Sequence, residues 1–135
     1  MPQLSYAATW YPDGIVIAES DNTSSIESNI FVSKTNSIYL PESSNNQILI
    51  WENENFSSIR NISDSSLEPF SVFLTAANNL YIGNGSINST ILEWNSMSNE
   101  TLIVSDVPGP CHTIFIDRNY TLYCSISSEH QVVKI

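Results

Sequence analysis

The sequence predicts an all-β chain, a partial β-propeller of four-stranded antiparallel blades with a repeat of about 42 residues. Three observations carry this reading. Ile30-Phe31-Val32, Val72-Phe73-Leu74 and Ile114-Phe115-Ile116 recur at spacings of 42 and 42, and Tyr39, Tyr81 and Tyr123 keep the same spacing. Gln47 and Gln131 stand 84 apart, while Trp51 and Trp94 stand 43 apart, which asks for one inserted residue in the second loop of the later unit. Each unit holds four short apolar segments divided by turn residues, and no stretch offers the two long runs of helical period that a helical solenoid needs.

Taken in order, the chain opens on a third strand, Leu4–Trp10, with Trp10 placed 41 before Trp51. "YPDG" supplies a turn with Pro at its second position, and Gly14–Glu19 reads as an outer strand, so residues 1–20 form the end of a preceding blade. The blade at 29–63 divides into Asn29–Ser33, Ser37–Leu40, Gln47–Trp51 and Ser57–Ile62, separated by "SKTN", "ESSNN" and "ENEN". These segments are rich in Ile, Val, Phe and Tyr, which fit a pleated, half-buried surface, and are bounded by strand terminators. A second blade spans 70–106. The last unit, 112–135, gives the strands His112–Asp117, Thr121–Ile126 and Gln131–Ile135. That is about three and a quarter blades against the roughly 4–8 of a closed ring. The expectation is an incomplete propeller whose open edge at Gln131–Ile135 exposes Val132, Val133 and Ile135 and invites self-association between copies.

The 135 residues are 41% hydrophobic and 10% aromatic, enough for one packed domain rather than a disordered segment. Charged residues make up only 13%, and the net charge is −10. Phosphate backbones and anionic lipid surfaces attract basic proteins, so neither a nucleic acid nor a membrane surface is the expected partner. No apolar run reaches the roughly 18–20 residues of a spanning helix, and Met1 is followed by no basic start or apolar core of a signal peptide.

"NIFVSKTNSIYLPESSNNQILIW" resembles the blade of the NHL-repeat β-propellers: inner strand, polar loop, aromatic second strand, an acidic position, an Asn-rich loop and a third strand. Glu42 stands where that family carries Asp and Gln47 where it carries Arg. Asn84 and Thr90 hold those places in the next unit, and Ile126 and Gln131 in the last, so the charged pair of the family is missing throughout. The resemblance covers almost the whole chain. It implies a binding or scaffold module or, alternatively, a fragment of a channel-site enzyme. Peptide-amidating lyases of this type bind zinc through channel histidines, and related lactonases bind calcium through carboxylates and Asn.

Cys111 and Cys124 fall at the same end of adjacent antiparallel strands, so a disulfide is expected. Seven N-x-[ST] sequons occur, at Asn22, Asn55, Asn61, Asn84, Asn88, Asn99 and Asn119. Asn61 falls on an outer strand and the other six fall in loops or turns, all accessible to glycans. With the disulfide they point to an extracellular or secretory-lumen setting.

His112 and His130 share one rim, but two histidines do not make a zinc site of three or four ligands. Asn29 and Glu42 lie at strand ends, yet no carboxylate recurs there to build a calcium cage. Trp10, Trp51 and Trp94, repeating at one blade position, read as inter-blade core. No catalytic residue, metal or cofactor is expected. The function predicted is a non-enzymatic module binding a protein, peptide or glycan partner through its rim loops.

Overall fold

The computed structural model describes residues 13, 14, 16, 29–53, 55, 57, 59–85 and 89–135. The strands expected at Leu4–Trp10 and Gly14–Glu19 fall outside these residues, apart from the exposed Gly14 and Val16. Eleven strands form three antiparallel sheets among the described residues. The first holds β1 (Phe31–Val32), β2 (Ile38–Glu42), β3 (Gln47–Trp51) and β4 (Ile59–Ser63), side by side in chain order. The second repeats this with β5 (Pro69–Leu74), β6 (Leu80–Asn84), β7 (Thr90–Asn95) and β8 (Glu100–Asp106). The third contains β9 (Thr113–Ile116), β10 (Leu122–Ile126) and β11 (Gln131–Lys134). Short 3-10 turns at Ser43–Asn45 and Ser127–Glu129 are the only other regular elements described.

β3 has the bounds read from the sequence, because left-handed Asn46 and Asn53 turn the chain just outside it. β2 instead runs past Leu40 to Glu42. Pro41 sits inside the strand opposite Ile48; its fixed φ suits extended backbone, and it removes only one ladder donor. β9 starts at Thr113, so Cys111 and His112 precede the inner strand.

Side chains alternate across each sheet, and this alternation builds the core. From the first sheet Ile48, Ile50 and Ile62 pack with Val72, Leu80, Ile82 and Leu92 of the second. Ile91 of the second sheet, with Phe73 and Tyr81 beside it, packs with Ile114, Ile116, Leu122, Cys124 and Ile126 of the third. The middle sheet is therefore covered on both faces. Fully burying each such side chain contributes about 1.5–3 kcal/mol. Val133 also joins this second cluster, which corrects its reading as an exposed edge residue; Val132 and Ile135 are exposed as expected.

The inner strands carry a ladder of phenyl rings. Phe31 and Phe73 lie 5.2 Å apart by ring centroid and Phe73 and Phe115 lie 5.6 Å apart, both inclined rather than flat-stacked. Phe31 also meets Tyr39, and Phe115 meets Tyr123. The 42-residue triplets thus recur because each inner strand must offer the same ring to its neighbour. Among the described residues no helix is long and apolar enough to cross a membrane.

Candidate functional site

The first-to-second strand turns of the three sheets are built alike. Ser33 Oγ accepts the N–H of Ser37 at 3.0 Å, Thr75 Oγ1 accepts that of Asn79 at 3.1 Å, and Asp117 Oδ1 accepts that of Thr121 at 2.9 Å. Backbone bonds Asn36 N to Ser33 O, Asn78 N to Thr75 O and Tyr120 N to Asp117 O close each turn. Asn36, Asn78 and Tyr120 take the left-handed conformation, with φ of 57°, 65° and 61°. Asn adopts this backbone readily, whereas a bulky residue does so at a cost. The result is three braced turns presenting different chemistry: Lys34-Thr35-Asn36, Ala76-Ala77-Asn78 and Arg118-Asn119-Tyr120, all exposed.

Electrostatics reinforce the third turn. The backbone N–H of Thr121, with that of Asn119, holds the Asp117 carboxyl below its ordinary value of 3.8. Burial pushes the phenols of Tyr39 and Tyr81 above their ordinary value of 10.0. They stay protonated at neutral pH.

At the start of the inner strands a second group of residues converges. Asn29 Nδ2 donates to the carbonyl of His112 and, at 3.0 Å, to Thr113 Oγ1. The His112 ring stands edge-on to Phe70 with centroids 5.7 Å apart. Residues 29, 70 and 112 are thus gathered at one mouth, although they come from three blades. His130 caps the turn at Ser127–Glu129 in the left-handed conformation and is exposed. No group of three His, Cys, Asp or Glu gathers around either histidine among the described residues.

The paired positions of the family resemblance are cross-strand partners in every sheet: Glu42 with Gln47, Asn84 with Thr90, and Ile126 with Gln131. In the first, Gln47 Nε2 donates to Glu42 Oε2 at 2.6 Å, so an amide–carboxylate hydrogen bond joins the two positions. Trp51 is buried and Trp94 packs against the core between the first two sheets, as the inter-blade reading expects.

Cys111 and Cys124 are joined by a disulfide with Cα atoms 5.5 Å apart. Of the sequons, Asn22 and Asn88 fall outside the described residues, while Asn55, Asn61, Asn99 and Asn119 are exposed. Asn84 corrects the reading that placed it in an accessible turn. It closes β6, is only 9% exposed, accepts the N–H of Glu68 at 2.6 Å and donates its amide to Ser66 O at 3.4 Å. That amide nitrogen is the atom a glycan would need.

The three braced turns were missed by sequence reasoning. Their signal was present: a Ser, Thr or Asp at 33, 75 and 117, each three residues before a left-handed residue. Different residue types at those places hid the period.

The sequence matches no protein-family profile and no curated protein. Solved structures do share the fold. A streptogramin B lyase structure gives a TM-score of 0.63 at 12% identity, over 78% of this chain and 36% of that one. Catalytically inactive virginiamycin B lyase from Staphylococcus aureus, determined with quinupristin, gives 0.61 at 9% identity, over 85% and 42%. The extracellular domain of a one-component system protein from B. thetaiotaomicron gives 0.58 at 10% identity, over 88% and 17%. The chain spans less than half the length of each of these structures. Similarity at this level of identity speaks for architecture. The chain has a β-propeller-like fold of antiparallel sheets, two of four strands and one of three among the described residues, shared with proteins of which some are enzymes.

Proposed function

We propose that the chain is an NHL-type propeller module that binds a protein, peptide or glycan partner through the turns at 34–36, 76–78 and 118–120. The observation that carries this reading is Tyr120. It is 68% exposed and left-handed at a place where the other two turns use Asn. A strained backbone with an exposed aromatic at its tip is retained where the side chain has a task. Tyr and Arg are also the residues that most often anchor interfaces, and Arg118 stands two positions away. Rigid turns lower the ordering cost of binding.

Peptide and glycan arrays probed with the purified chain test this. Binding that weakens at least about tenfold in Arg118→Ala/Tyr120→Ala, as loss of two anchors predicts, with unchanged thermal stability, supports the reading. Arrays silent for both ligand classes, or binding indifferent to those substitutions, would sink it. The disulfide, the exposed sequons and the likeness to an extracellular domain support an extracellular or secretory-lumen setting.

A second reading, a metal-dependent lyase or lactonase acting at the channel, draws on the lyases among the structural neighbours and on the convergence of Asn29, Phe70 and His112. Stoichiometric zinc or calcium in the purified protein would favour it over the binding module.

A further inference from the structure

A cavity of about 470 Å³ opens between the outer strands of the first two sheets, away from the turns and from the inner-strand mouth. Its floor is apolar: Ile62 and Leu67 are almost fully buried, and Trp94 packs against the cluster they belong to. Its rim carries the carboxylates of Asp64 and Glu100 and the amide of Asn99. Trp94 Nε1 donates to Asn99 Oδ1 at 3.4 Å, which ties the indole to the turn at the cavity mouth. Asp64 Oδ1 accepts both the N–H and the Oγ–H of Ser66, at 2.8 and 2.6 Å, which fixes the carboxylate and favours its charged form.

We propose that this cavity binds a basic side chain, Lys or Arg, of a peptide or protein partner. An indole attracts a cation, and an apolar floor takes the aliphatic stem behind it. Two rim carboxylates complete the recognition through charge-assisted hydrogen bonds. No Lys or Arg lines the cavity to neutralise them, and the whole chain carries a net charge of −10, so a basic partner is drawn toward it. A neutral saccharide would also stack on Trp94 and donate hydroxyl hydrogen bonds to the carboxylates, but would bring no positive charge to match theirs. The site is separate from the turns of the proposed function and stands without them.

The test is a titration of the isotopically labelled, unglycosylated chain, followed by amide chemical shifts. The probes are short Arg-rich and Lys-rich peptides, a Gln-rich peptide of equal length, and a neutral oligosaccharide. The basic peptides are expected to shift amides at 62–67 and 94–102, and the Gln-rich peptide to leave them in place. Comparing the two basic peptides separates guanidinium from ammonium recognition. Asp64→Asn/Glu100→Gln, both exposed, should weaken binding about fivefold or more while the chain keeps a cooperative thermal melt. Trp94→Leu, which keeps an apolar side chain but removes the ring, should weaken it by about two- to fivefold. Binding should fall further at about 1 M salt, where the screening length drops to about 3 Å. The proposal is overturned if the double variant binds the basic peptides unchanged, if the shifts lie elsewhere, or if only the oligosaccharide moves these amides. A ligand of the turns would shift 34–36, 76–78 and 118–120 instead, so the two readings fail separately.

Discussion

Reducing the Cys111–Cys124 bond removes a single covalent constraint from an otherwise unchanged sequence, and its effect can be worked from the fold. The bond closes a short loop, with a sequence separation of 13. The loop-entropy relation then assigns it about 3 kcal/mol at 25 °C, by raising the entropy of the unfolded chain when it is cut. Both sulfurs are fully buried beside Ile91, Val107 and Ile114, so the thiols left by reduction keep their apolar surroundings. Replacing both residues by Ala also empties space in that cluster, adding about 1–2 kcal/mol. With a urea slope of about 1–3 kcal/mol per molar for a small domain, reduction should lower the unfolding midpoint by about 1–3 M. The assay is equilibrium urea unfolding by tryptophan fluorescence, with and without reductant, beside Cys111→Ala/Cys124→Ala. Thiol labelling in denaturant should find no free Cys before reduction and two after it. A midpoint that stays in place after verified reduction would refute the reasoning, because the loop would then be constrained by something other than the bond.

Gly83→Ala would set a methyl 2.6 Å from Ser71 Oγ and 2.7 Å from the Cys111 carbonyl oxygen. That backbone oxygen cannot swing aside, so a loss of about 1–3 kcal/mol is expected in thermal melts; an unaltered melt would contradict the close approach. Tyr120→Asn should relieve the left-handed backbone at 120 and raise stability by up to about 1 kcal/mol, while weakening partner binding. A lower melting temperature would show that the ring is structural. Asp117 is held below 3.8 by the N–H of Thr121 and then of Asn119. A depressed carboxyl stabilises the fold above its unfolded value and loses that contribution as pH falls through its folded value. The amides of Asn119 and Thr121 should therefore lose protection below about pH 3.8, and Asp117→Asn should remove the effect; protection that persists would refute it.

The period was legible because propeller packing repeats the same demand: an inner-strand phenyl at 31, 73 and 115 must meet its neighbour at 5.2–5.6 Å. The disulfide was legible for a related reason, since strand adjacency follows from the repeat. The end of β2 at Glu42 was less legible, because a strand continues through Pro41 only where its missing donor has no ladder partner to lose. Asn84 misled because the Gly and Ser that follow it suggest a turn, while its burial depends on Ser66 and Glu68 from a distant connection. The cavity beside Trp94 had no signal in the sequence. It depends on how far β4 and β8 splay apart, a quantity set by packing between sheets rather than by any local run of residues.

Subtracting the 42-residue period shows why Cys111 carries more than one role. Cys111 and Cys124 stand where the preceding unit has Pro69 and Ile82, both fully buried. The second sheet holds those positions by apolar packing from neighbours on two faces. The third is covered on one face by the second sheet, while Phe115 is 49% exposed and Val132 72% exposed on the other. A covalent link thus stands in the sheet whose other face is less covered. The same residue is also gripped across the sheets: Ser71 Oγ donates to the Cys111 carbonyl, and Gly83 leaves room for its approach. Cys111 therefore joins the order of β9 and β10 to the docking of the third sheet on the second. Perturbations at Gly83 and at the disulfide act on one shared element, and residues that share partners do not contribute independently. Once the bond is cut, the Cys111 segment can yield to an added methyl at 83. Gly83→Ala accordingly costs less in the reduced chain than in the oxidised one.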